Sequence, residues 1–151
     1  MQIIPALTLA ENASRSKAKI NMGISACLLG QPVRYNGGHT QSKLCLNTLS
    51  EHFNYRSFCP EVAAGLGVPR PTLRLVGDVA APRLVFSNDA QKDVTEPLNQ
   101  AISSVIDSLA DLDGYILMKN SPSCGLERIK VYTDNGNPQQ MRTQAPGSIP
   151  L

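Results

Sequence analysis

Three cysteines in this chain share one local context. Cys27, Cys59 and Cys124 each follow a short apolar run, and each lies within three residues of a proline or glycine. They are 32 and 65 residues apart (59 − 27 and 124 − 59), and no Cys-x-x-Cys pair is present. If the apolar runs are parallel strands of one sheet, their carboxyl ends share an edge, and the three thiols converge there. Three thiolates at one site suit a soft metal, with an iron–sulfur cluster or zinc as the leading cases. An iron–sulfur cubane usually takes four cysteines, so three leave one iron open for chemistry. Zinc held by the same cysteines and His39 is the competing site. The plainer alternative is that all three are buried hydrophobes, which is how free cysteine often behaves.

Polar groups that a closed core would reject surround these thiols. Glu61 comes two residues after Cys59, and Ser121 and Ser123 flank Pro122 just before Cys124. Arg34, Arg70, Arg74 and Lys119 lie near the same segments. A carboxylate beside a metal centre can act as general base on a water, and a serine hydroxyl can orient that water. Glu61 is equally a loop carboxylate satisfied by Arg70. Cys45 sits between Leu44 and Leu46 and reads as core. His39 reads as a cap or surface residue, and His52 as a solvated residue near a helix end. Gly65, Gly67 and Gly125 suit turns, and no phosphate-loop signature is present.

Short elements must position these residues. Met22–Ala26 and Tyr55–Phe58 predict strands that lead into Cys27 and Cys59, and Gly114–Met118 predicts the strand before Lys119–Gly125. Residues Thr40–Phe53 predict a helix capped by Thr40, with Leu44, Leu46, Leu49 and Phe53 on one side. Leu73–Val76 and Arg83–Phe86 predict a hairpin across Gly77-Asp78. Asp93 or Thr95 is expected to cap a second helix that runs to about Leu109, with Val94, Leu98, Ile102, Val105, Ile106 and Leu109 on its buried face. Ile129–Tyr132 predicts a last strand, turned by Asp134-Asn135-Gly136. This alternation points to an α/β fold: a single Rossmann-like domain with a mostly parallel sheet and the cysteines at strand carboxyl ends. The expected organisation is an extension over residues 1–21, the α/β domain over 22–137, and an irregular tail over 138–151.

The bulk composition narrows the function classes. With 151 residues, 42% of them apolar and 17% charged, the chain suits one ordinary globular domain. No apolar run approaches the roughly 20 residues that span a membrane, so no membrane partner is expected. The N-terminus shows no secretory signal, which places the protein in the cytoplasm, where cysteines stay reduced. A net charge of +2 gives no argument for nucleic acid as a partner.

Three segments together resemble one known family. Ile24-Ser25-Ala26-Cys27-Leu28-Leu29-Gly30 with Val33-Arg34-Tyr35-Asn36-Gly37-Gly38-His39 is similar to its first motif. Cys59-Pro60-Glu61-Val62-Ala63-Ala64-Gly65-Leu66 with Pro69-Arg70-Pro71 is similar to its second, and Lys119-Asn120-Ser121-Pro122-Ser123-Cys124-Gly125 to its third. The family is that of the thiouracil desulfidases, and the resemblance runs from about Met22 to about Gln139. It implies a Rossmann-like domain that holds a [4Fe-4S] cluster through Cys27, Cys59 and Cys124. It further implies that the open iron takes the sulfur of a thiolated base, that Glu61 and Ser121 assist a water, and that no net redox change occurs. Ser123, Arg34, Arg70 and Lys119 then become candidates for contacting the substrate or supporting the site. The substrate would be a small thiolated pyrimidine, with thiolated RNA as a further option. Two departures stand out: Asn36 replaces a frequent aspartate, and the residues after Asn137 lack the helix and strand with which relatives usually continue. A non-catalytic iron–sulfur or zinc module is the alternative reading.

Overall fold

The structure is a computed structural model, and it describes residues 18–142. Among the described residues, eight strands form two sheets. The first sheet has three parallel strands in the order β2-β1-β6: β1 (Ile20–Ser25), β2 (Phe53–Phe58) and β6 (Gly114–Ile116). The second has five, in the order β5-β4-β3-β7-β8: β3 (Leu73–Val76), β4 (Arg83–Phe86), β5 (Asp89–Asp93), β7 (Ile129–Tyr132) and β8 (Pro138–Arg142). Only β3 and β7 pair in parallel in this second sheet; its other neighbours are antiparallel. The fold is therefore mixed α/β, with a parallel sheet and a mixed one where a single, mostly parallel sheet was expected.

The core lies between the second sheet and helix α2 (Thr95–Val105). Leu98 and Ile102 sit one turn apart on α2 and are buried with Leu75, Leu84, Ile129 and Val131. Each such side chain contributes about 2 kcal/mol by leaving water. The face expected from periodicity is largely the buried one: Val94, Leu98, Ile102 and Leu109 are buried, while Val105 and Ile106 are half-buried. The expected cap is displaced. Val94 occupies the N-cap position, the Asp93 carboxylate accepts the Thr95 N–H at 2.9 Å, and Thr95 Oγ1 accepts the Leu84 N–H at 2.8 Å. Thr95 thus ties the helix to the hairpin instead of capping it. The hairpin itself forms as expected, with Leu75 opposite Leu84.

Four expected elements differ, each for a local reason. The helix expected over Thr40–Phe53 is reduced to a π turn (Leu44–Thr48) and a 3₁₀ turn (Leu49–Glu51). Tyr55 donates its hydroxyl to the Cys45 carbonyl at 2.9 Å, and the Leu49 N–H reaches back to Leu44. A side chain that takes a helix carbonyl produces such a widened turn. Thr40 caps nothing and instead receives a hydrogen bond from Arg34 Nη1, while Phe53 already belongs to β2. The strand expected through Met118 ends at Ile116, because the Met118 N–H goes to Ser25 Oγ at 3.0 Å instead of to the ladder. β1 begins at Ile20, inside the expected extension. The expected tail opens with β8, which pairs with β7 (Ile129 opposite Arg142). The rest of both expected termini, residues 1–17 and 143–151, lies outside the described residues.

Candidate active site

Cys27, Cys59 and Cys124 line one cavity of about 350 Å³. Cys27 sits in a 3₁₀ turn (Ala26–Leu29) that continues β1, and the turn closes at Gly30 with φ +87°. That left-handed conformation suits glycine, and the Gly30 N–H bonds the Cys27 carbonyl at 3.2 Å. Cys59 follows β2 directly, at the N-cap of the short helix α1 (Pro60–Ala63). Cys124 lies in the turn Ser121–Gly125, which closes by a Gly125 N–H to Ser121 carbonyl bond of 2.9 Å. All four cysteines are free thiols, and Cys45 is buried away from this lining, 5% exposed.

The three thiols act on one another electrostatically. Burial pushes the Cys27 thiol up, and the neighbouring Cys59 adds to this. Burial also raises Cys59, with Glu61 and Cys124 contributing. Burial raises Cys124, Glu61 and Cys27 add to it, and hydrogen bonds from Ser121 and Ser25 oppose it. Charge on any one thiol is therefore disfavoured by the others. A cationic group among them would relieve all three at once.

Glu61 faces the same cavity and is held from two sides. Its Oε2 accepts Arg70 Nε at 2.7 Å and pairs with Arg70 Nη2 at 2.6 Å. Its Oε1 accepts the Ser123 hydroxyl at 2.6 Å. Arg70 also donates to the carbonyls of Gly67 and Val33, so a buried guanidinium anchors α1, its following loop and the loop after Cys27. The sequence left Glu61 as either a base or Arg70's partner; in the structure it is paired with Arg70 and still lines the cavity. Ser123 Oγ is 3.1 Å from Ser121 Oγ, which lies 3.2 Å from Cys124 Sγ. Arg70, Glu61, Ser123, Ser121 and Cys124 thus form one hydrogen-bonded chain.

Arg34 and Lys119 line the cavity as well. Arg34 lies over the Tyr35 ring, 5.9 Å from its centroid. His39 does not line it: the residue is exposed, and its Nδ1 accepts the Gln41 N–H at 3.3 Å. Among the described residues, no three His, Cys, Asp or Glu side chains gather closely enough to hold a single metal ion. The zinc alternative with His39 as fourth ligand is therefore not supported. His52 is exposed beside β2, away from the site.

Sequence reasoning missed Ser25 and Tyr35, which both line the cavity. The signal for Ser25 was a hydroxyl inside an otherwise apolar strand. It also missed a second cavity of about 570 Å³, lined by Arg74, Arg128 and Lys130, which shares Thr72, Leu73, Asn120 and Pro122 with the first. Asn120 and Arg128 there adopt positive φ, 59° and 55°.

Comparison with known proteins identifies the family. The profile of the 2-thiouracil desulfurase family matches residues 22–149. The chain belongs to the 2-thiouracil desulfurase family. It is an enzyme of the thiouracil desulfidase kind, and the match runs past β8 into the segment expected to be an irregular tail. A solved structure of a [4Fe-4S]-dependent thiouracil desulfidase, TudS, superposes with a TM-score of 0.65 at 29% identity, over 85% of this chain and 82% of that one. YbbK of Bacillus subtilis (strain 168), an uncharacterized protein, is 30% identical over 108 residues, 68% of this chain and 71% of its own length. Among the described residues, no helix is long and apolar enough to cross a membrane.

Proposed function

We propose that this enzyme removes sulfur from a thiolated pyrimidine by hydrolysis, without net electron transfer: the ring C=S and one water become C=O and hydrogen sulfide. The observation that carries this reading is the meeting of three thiols with a carboxylate–serine chain in one cavity. The parallel order β2-β1-β6 reads as a Rossmann-like core with Cys27 and Cys59 at its carboxyl edge, where open α/β sheets bind ligands.

Cys27, Cys59 and Cys124 would hold a [4Fe-4S] cluster, as the related TudS is [4Fe-4S]-dependent. The donor set fits: it is all thiol, it is mutually repulsive when charged, and it lines a cavity without meeting at a single ion's distance. When bound, such a cluster supplies a Lewis acid for the sulfur of the C=S bond. Glu61 takes the proton of the attacking water. Arg70 fixes the orientation of that carboxylate, and Ser123 occupies its second oxygen. Ser121, reached from Ser123, orients the water toward the ring carbon. Tyr35, 40% exposed at the cavity wall, offers an aromatic face to the pyrimidine. A non-catalytic cluster module would leave the Glu61–Ser123 pair beside the thiols without a purpose.

The second cavity extends the reading to the substrate. It is lined by three cations and no carboxylate, and Arg74 Nε is buried there without a hydrogen-bond partner. Such a surface suits the phosphate of a thiolated nucleotide whose base occupies the first cavity. Anaerobically loaded enzyme should release uracil and sulfide in equal amounts from 4-thiouracil. With 4-thiouridine 5′-monophosphate, kcat/KM should be about tenfold higher or more, the worth of one charge-assisted hydrogen bond. Loaded protein that releases no sulfide from either compound would contradict the assignment.

A further inference from the structure

Ser25 ends β1 and is 4% exposed. A hydroxyl this deep must satisfy both its oxygen and its proton. The oxygen accepts the Met118 N–H at 3.0 Å, and the Cys124 sulfur lies 3.8 Å away. With the amide placed on the oxygen, the hydroxyl proton is free to point at that sulfur. A second hydroxyl, that of Ser121, lies 3.2 Å from the same sulfur. As a thiol, Cys124 can donate to one of these oxygens. As a thiolate it donates to neither, and both hydroxyls can turn to donate to it. Among the described residues, no side-chain hydroxyl is hydrogen-bonded to the sulfur of Cys27 or Cys59. Cys27 and Cys59 are met instead by backbone N–H groups, those of Cys27 and Leu28 for the first and that of Val62 for the second, so Cys124 alone of the three is faced by side-chain hydroxyls.

We propose that Ser25 is a positioning and tuning residue for the Cys124 thiolate, and that with Ser121 it makes Cys124 the distinct corner of the ligand set. This rests on the reading that the three thiolates carry a cluster. Donors aimed at a ligand sulfur draw charge off it and raise the reduction potential of the group it ligates. They also fix the direction of the sulfur, because Ser25 is itself fixed by the Met118 amide. Ser25 is thus a strand residue that reaches across to the turn carrying the third thiol. Its placement also explains why β6 stops at Ile116: the chain leaves the ladder where the Ser25 side chain takes over the next available amide.

The test compares wild type, Ser25→Ala, Ser25→Thr and Thr95→Val after anaerobic cluster reconstitution. The readouts are midpoint potential, release of iron to a chelator, and thermal midpoint. Thr95→Val removes another hydroxyl that accepts a backbone N–H, in the second sheet and away from the thiols. Ser25→Ala should shift the potential to a more negative value and speed release on the order of tenfold, the lower end of what an outer partner is worth to a metal site. Ser25→Thr should return both toward wild type, and Thr95→Val should lower only the thermal midpoint. An unchanged potential in loaded Ser25→Ala would overturn the proposal, as would an equal shift in Thr95→Val. If Ser25→Ala takes up no cluster, loading of Ser25→Thr supports the role of the hydroxyl. Failure of both, with Thr95→Val loaded, shows a purely structural role and overturns it. Wild-type protein that takes up no cluster overturns the underlying reading instead.

Discussion

Glu61 and Arg70 show what a buried ion pair does at a reactive site. The pair is nearly enclosed, with side-chain exposures of 14% and 3%. Such pairs add little net stability, but removing one partner is costly. Arg70→Met should therefore destabilise the fold by about 3 kcal/mol in denaturant unfolding, as a carboxylate loses its cation. Glu61→Gln keeps the shape and loses the proposed base. It should lower kcat by about 10²- to 10⁴-fold while leaving iron and sulfide content unchanged. Wild-type turnover in Glu61→Gln would remove Glu61 from the mechanism. At this scale the sequence was informative, because chemistry is carried by residue type: Arg34, Glu61, Arg70, Lys119, Ser121 and Ser123 all line the cavity with the thiols, while Arg74 lines the second cavity instead. It left Glu61 with two readings because nine residues of separation from Arg70 do not say where the second carboxylate oxygen points.

The elements matter through their ends. The turn Ser121–Gly125 presents two hydroxyls and a thiol because it is closed tightly on itself. A side chain at Gly125 would meet Ser121 O at 2.6 Å and Ile129 Cδ1 at 2.3 Å. Gly125→Ala should therefore open the turn, lower the thermal midpoint and reduce cluster loading, measured as iron per folded chain. Full loading at an unchanged midpoint would show that the turn tolerates displacement. The hairpin, β7 and the apolar face of α2 were legible because their apolar periodicity is strong. β5 was not, since Asp89-Ala-Gln-Lys-Asp carries no apolar run and forms an outer strand. Nor was β8, whose polar residues join the sheet through β7's backbone. The widened turn at Leu44–Thr48 depends on Tyr55, ten residues beyond Cys45, and no local pattern announces it.

In the whole molecule, the parallel sheet supplies two of the thiols and the approach to the third, while the mixed sheet and α2 supply the core. Sequence reasoning merged these into one sheet, because strand periodicity identifies strands but not their partners. The three thiols line one cavity all the same: Cys27 and Cys59 follow the neighbouring strands β1 and β2, while Cys124 is carried by the Ser121–Gly125 turn beyond the end of β6. The most direct test of the account is iron and acid-labile sulfide per chain in anaerobically purified protein, compared with Cys→Ala variants at all four cysteines. The account predicts about four iron and four sulfide per chain in wild type and in Cys45→Ala, with most of both lost in Cys27→Ala, Cys59→Ala and Cys124→Ala. Full content in any of those last three, or loss in Cys45→Ala equal to theirs, would contradict it.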